Sequence, residues 1–143
     1  MSVSWQTVHS GGTATASGVV EVRAPARPGS LTVMRVVAAD IAMRADFDVD
    51  AIADVRLAVE EACASLVKLA APEEPLVCRF SADDCRMAVT AEVTSAHPVG
   101  PSTATLSWRV LTALADSVTT EVLRPAHRRP LVRIEMTKEV DTG

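Results

Sequence analysis

The chain has 143 residues, which suits one domain with a proper core and leaves little room for a second. A composition of 48% hydrophobic and 22% charged residues matches an ordinary globular domain and excludes disordered and fibrous classes. The net charge of −4 and an aromatic content of 3%, with no Tyr, remove both the basic footprint and the stacking platforms of a nucleic-acid binder.

The cysteines, Cys63, Cys78 and Cys85, are odd in number and form no C-x-x-C pair, which argues against a disulfide framework and against zinc. They read as small core or strand residues. His9, His97 and His127 lie far apart, with no metal-type spacing. Met1 to Gly18 lacks the basic and apolar regions of a secretory signal, and no apolar run is long enough to span a bilayer. The expectation is a reduced, cytoplasmic domain without a membrane or nucleic-acid partner.

In chain order, residues 1–17 are rich in Ser, Thr and Gly and read as a mobile tail, with a domain over 18–138 and a short C-terminal tail over 139–143. Val19 to Ala24 alternates Val20, Val22 and Ala24 against Glu21 and Arg23, the pattern of a half-buried strand. After Pro25, Pro28 and Gly29, Ser30 is the expected N-cap of a helix that carries Leu31, Met34, Val37, Ala38 and Ile41 on one face to about Arg44. Asp50 is expected to cap a second helix over 51–70, because a carboxylate suits the positive end of the helix dipole. On it, Ile52, Val55, Val59, Ala62, Cys63 and Leu66 form a core stripe. Asp54, Glu61, Ser65 and Lys68 form a polar stripe at that stripe's edge.

Leu76 to Ser81 and Cys85 to Val93 read as two strands about the turn Ala82-Asp83-Asp84, with Met87, Val89, Ala91 and Val93 on one face. A loop with Pro98, Gly100 and Pro101 leads to a third helix over 103–116, with Leu106, Val110, Ala113 and Leu114 in register. Val118 to Leu123 and Leu131 to Thr137 close the chain as strands. The order β-α-α-β-β-α-β-β predicts an α+β two-layer sandwich: five strands, mostly antiparallel, with three helices on one face.

The second helix, Ala53 to Val67, resembles the N-box region of RsbW and SpoIIAB-type anti-sigma factors, serine kinases of the histidine-kinase-like ATPase superfamily. The resemblance extends over Glu21 to Ser30 and over Ser107 to Val118, and Trp108 to Asp116 looks closest to the actinobacterial RsbW (UsfX) branch. It implies the Bergerat fold, which agrees with the element order reached from periodicity. It also implies ATP and Mg²⁺ as cofactors.

Three local signatures carry the nucleotide chemistry of that family. In the N-box E-x-x-x-N, the Glu is a general base and the Asn holds Mg²⁺. The matching positions are Glu61 and Ser65, so the acid is kept and the amide is lost. In D-x-G-x-G the Asp reads adenine, and here Val93 stands for the Asp and Ser95 for the first Gly. The third signature is a glycine-rich lid whose bare N–H groups cradle phosphates. The only glycine of this loop is Gly100, between Pro98 and Pro101, which remove donors. Family members also carry an interface Arg on the first helix, and the matching position is Arg35.

Phosphoryl transfer rests on positioning and charge neutralisation. The resemblance therefore implies an anti-sigma factor that sequesters an alternative sigma factor, competes with a STAS-type anti-anti-sigma protein, pairs as a homodimer and carries a degenerate nucleotide site. The rival reading is an active ATP-dependent protein serine kinase, with Glu61 as base and Mg²⁺ held partly by Ser65. A third keeps the fold alone, as a scaffold without sigma affinity. Outside the resemblance, Glu61 reads as a solvated helix residue and Arg35 as a surface Arg lying along apolar neighbours.

Overall fold

The computed structural model describes residues 1–9 and 16–139. The elements run β1 (Ser2–His9), β2 (Ala16–Pro25), α1 (Ser30–Arg44), α2 (Val49–Val67), β3 (Pro75–Ala82), β4 (Arg86–Thr94), α3 (Leu106–Leu114), β5 (Ser117–Leu123) and β6 (Leu131–Glu139). The strands form one sheet in the order β1-β2-β3-β4-β6-β5, with every neighbouring pair antiparallel. Six strands are present among the described residues, not five. The sixth is β1, which occupies part of the segment read as a tail and pairs Ser2 with Arg23 at one end and His9 with Ala16 at the other. The other tail positions, 10–15 and 140–143, lie outside the described residues.

Register explains the two layers. Val22, Cys78, Ala91 and Ile134 are directly opposed across four strands and share one face, which α1 and α2 cover. That side holds the core, with Phe80, Met34, Leu66, Leu76, Met87, Leu111 and Ile134 fully buried. Each such side chain contributes about 1.5–3 kcal/mol by leaving water. The alternation read for β2, β4 and β6 holds: Val20, Val22 and Ala24, then Met87, Val89, Ala91 and Val93, then Val132, Ile134 and Met136 are all buried.

Three expectations about the helices are corrected. Gly29, not Ser30, precedes the first turn of α1, and the Ser30 hydroxyl donates to the Pro25 carbonyl at 2.6 Å, pinning the helix start to the end of β2. Asp48 rather than Asp50 caps α2, accepting from the Ala51 N–H at 2.8 Å. The extended backbone of Asp48 lets its carboxylate turn back on that N–H, whereas Asp50 is already inside the first turn. Helix α3 is shorter than expected and begins after the Thr105 cap, which accepts from the Trp108 N–H. Leu111 is its one buried residue and Leu106 stands exposed, so the apolar face is rotated from the register the sequence suggested.

Candidate functional site

Helix α2 carries the matched positions because its apolar stripe, Val55, Val59, Ala62, Cys63 and Leu66, is fixed against the sheet. Glu61 and Ser65 follow one turn apart at the edge of that stripe, both half-buried. The Ser65 hydroxyl donates to the Glu61 carbonyl at 3.0 Å, a back-bond that a helical Ser makes when no outer acceptor claims it. The adjacent acid behaves differently. Glu60 reaches α1, where its Oε2 stands 3.5 Å from Arg35 Nη1, each side chain a little over one-third exposed. Arg35 is thus half-covered at the α1–α2 seam.

The other matched positions cluster at the C-terminal end of β4. Val93 is buried in the core between Leu76 and Val132, where the family's aspartate would point. Ser95 is also buried; its N–H donates to the Pro130 carbonyl at 2.8 Å and its hydroxyl accepts from the His97 N–H at 3.2 Å. Beside it, Ala70 bridges to Ser95 and the Ala71 N–H donates to Thr94 at 2.8 Å, stitching the end of α2 onto the strand. Gly100 rests on β5: a Cβ there would meet Val122 at 3.5 Å and Thr120 at 3.8 Å, ordinary contact distances. Nothing in that geometry requires glycine.

This donor set does not fit a Mg²⁺–nucleotide group. Mg²⁺ takes six oxygens in near-ideal octahedral array, whereas the protein offers one carboxylate and one hydroxyl already engaged with its own helix. No group of three or more His, Cys, Asp or Glu side chains suited to a metal occurs among the described residues. Val93 has no acceptor for an adenine amino group. A cleft of about 640 Å³ lies elsewhere, between the ends of β2 and β3 and the 70–75 connection, and none of these positions lines it.

The sequence reading missed what holds the face of the sheet away from the helices. There Glu92, 8% exposed, accepts from Arg79 at 3.0 Å and from Arg133 at 3.0 Å, and Arg79 also binds Glu21 at 2.9 Å. Burial works against the Arg79 charge, but the Glu92 hydrogen bond and charge outweigh it and hold the guanidinium above its ordinary range. Alternation does put Glu92 opposite in sense to Val93, so the signal was present. The pairing across strands was not. A second missed link is Lys138, which donates to Asp54 at 3.2 Å and to the Leu114 carbonyl at 3.0 Å, tying α2 and the end of α3 to β6.

An antiparallel sheet with paired helices on one face, and an acid on the inner helix one turn before a second polar position, defines the class. Residues 24–124 match the histidine kinase-like ATPase domain, and the chain belongs to that family. Among named proteins it is similar to the anti-sigma-F factor RsbW of Mycobacterium tuberculosis, strain CDC 1551 / Oshkosh, at 39% identity over 104 residues. The protein of the same name from strain ATCC 25618 / H37Rv gives the same identity over the same length. Each alignment covers 71% of this chain, and the chain spans 60% of the length of these relatives. No helix among the described residues is long and apolar enough to cross a membrane.

Proposed function

We propose that this chain is an anti-sigma factor of the cytoplasm that acts in transcription regulation during stress. It binds an alternative sigma factor through a surface that includes Arg35, and a STAS-type anti-anti-sigma protein competes for that surface. The observation that carries this reading is the similarity to RsbW over most of the chain. The partial exposure of the Arg35 side chain at the α1–α2 seam supports it, because an Arg there can fork onto a partner carboxylate while its stem stays packed. A homodimer is part of the proposal.

In this reading the nucleotide site is degenerate. The back-bonded Ser65, the buried apolar Val93, the stitched Ser95 and the lone Gly100 support it. Sequestration then proceeds without ATP or Mg²⁺. The second reading, an active protein serine kinase, rests on Glu61, which keeps the position of the general base and makes no ion pair among the described residues.

Affinity capture from the native host with the tagged chain tests the proposal. A sigma factor should co-purify with the parent and be depleted with Arg35→Ala, in the absence of added nucleotide. Capture of no sigma factor returns the chain to the scaffold reading. Phosphate transfer from ATP to a partner serine moves the kinase reading to first place.

A further inference from the structure

The topology sorts the charges by end. The connections at one end of the sheet, after β2, α2, β4 and β5, carry Arg27, Lys68, Arg124, Arg128 and Arg129, with only Glu73 and Glu74 against them. The connections at the opposite end carry Asp46, Asp48, Asp83, Asp84 and Asp116. A chain of net charge −4 therefore has one cationic end. None of its five cations makes an ion pair among the described residues, whereas Arg35, Arg44, Arg79, Arg133 and Lys138 all do.

The β5–β6 connection is also built rather than loose. Pro125 and Pro130 bracket it, the Arg128 N–H donates to the Pro125 carbonyl at 3.3 Å, and the Ser95 N–H holds the Pro130 carbonyl. His127 sits at φ 62°, a left-handed conformation that a non-glycine residue adopts only when its surroundings impose it. Arg128 and Arg129 stand exposed on that turn. Next to it, the β4–α3 connection rests on β5 at Gly100 and leaves Val99 at 61% and Leu106 at 75% exposure. Guanidinium groups are enriched at the centres of protein interfaces, and exposed aliphatic side chains beside them add apolar surface that a partner can cover.

We infer that this end of the molecule, Arg124, Arg128 and Arg129 with Val99 and Leu106, is a second docking surface, and that it takes an acidic, amphipathic segment of a protein partner. Carboxylates of the segment pair with the guanidinium groups, and its apolar side chains cover Val99 and Leu106. Charge complementarity sets both the orientation and the rate of encounter. A nucleic acid fits less well: the patch residues include no Phe, Tyr or Trp and His127 alone could stack a base, the apolar half would stay uncovered, and the acidic end repels a long polyanion. The inference does not depend on the sigma-binding reading.

The test is fluorescence anisotropy with a labelled peptide of Glu and Leu in amphipathic order, beside a single-stranded DNA of matched charge. The parent should bind the peptide, and salt should weaken the binding. Combined Arg124→Glu, Arg128→Glu and Arg129→Glu should weaken it about tenfold or more. Leu106→Ser should weaken peptide binding and leave any DNA binding unchanged, while Arg56→Glu on the exposed side of α2 should change nothing. Every substituted residue is exposed, so unchanged thermal melting establishes that the variants fold. Absence of peptide binding by the parent overturns the inference. So does DNA binding as tight as peptide binding and indifferent to Leu106. Salt-labile self-association of the free chain that is lost in the triple Arg variant would also overturn it, by giving the patch to the acidic end of a second copy.

Discussion

Glu92 lies on the sheet face that no helix covers, yet two guanidinium groups close over it from β3 and β6. Removing one partner of a buried pair leaves the others uncompensated. Glu92→Ala should therefore cost about 2–4 kcal/mol in denaturant unfolding, at the lower end because both Arg side chains keep some water contact. Asp83 works through its turn: the Cys85 and Arg86 N–H groups donate to one carboxylate oxygen, the Cys85 bond foremost, and hold its pKa below the ordinary carboxylate value. A pKa lowered on folding adds stability that is present above the unfolded value and lost as pH falls through the folded value. Asp83→Asn should therefore lower stability slightly at neutral pH, where the ionised carboxylate contributes, and the two stability–pH profiles should converge at acid pH, below the folded value. The cysteines separate by burial. Cys63 and Cys78 meet at 3.5 Å in the core, and their mutual hydrogen bond, then burial, push the Cys78 thiol well up, while Cys85 is exposed. Native titration with a thiol reagent should count one reactive cysteine and denatured titration all three.

At the scale of elements, α3 has one fully buried side chain, Leu111, with Trp108 and Leu114 packed partly buried beside the core. Leu111→Ala should cost about 3 kcal/mol and strip hydrogen-exchange protection from α3 before the sheet, whereas Leu106→Ala should be close to neutral. The contrast also shows where the sequence was readable. A long helix such as α2 repeats its apolar stripe over several turns, so Val55, Val59, Ala62 and Leu66 could be placed without a structure. In α3 two turns leave the phase open, and the register Leu106, Val110, Ala113 and Leu114 omitted Leu111, the residue the core takes. Strands with one buried face were legible for the same reason of period, while β1 was not: Ser2, Val3 and Ser4 stand exposed, and the strand is defined by its backbone pairing with β2. Of the candidate site, Glu61, Ser65, Val93 and Ser95 were legible through motif spacing. The Arg35–Glu60 pair, the Glu92 clamp and the Lys138 tie join residues far apart in sequence, which only the fold brings together.

On the scale of the whole molecule, a single sheet separates three environments: a helix-covered core, an ion-paired open face and two ends of opposite charge. The family to which the chain belongs is named for an ATPase domain, and this chain keeps that architecture while spending its side chains differently at the matched positions. Where a nucleotide would need acceptors, glycine backbone and a metal ligand, this chain places an apolar core residue, a stitched strand end and a back-bonded serine. In the function proposed above, the protein works by binding other proteins. Its most direct test is a calorimetric titration of ATP into the purified chain, with and without Mg²⁺. The account predicts no heat of binding up to millimolar nucleotide in either condition. Micromolar binding that tightens when Mg²⁺ is added would contradict it.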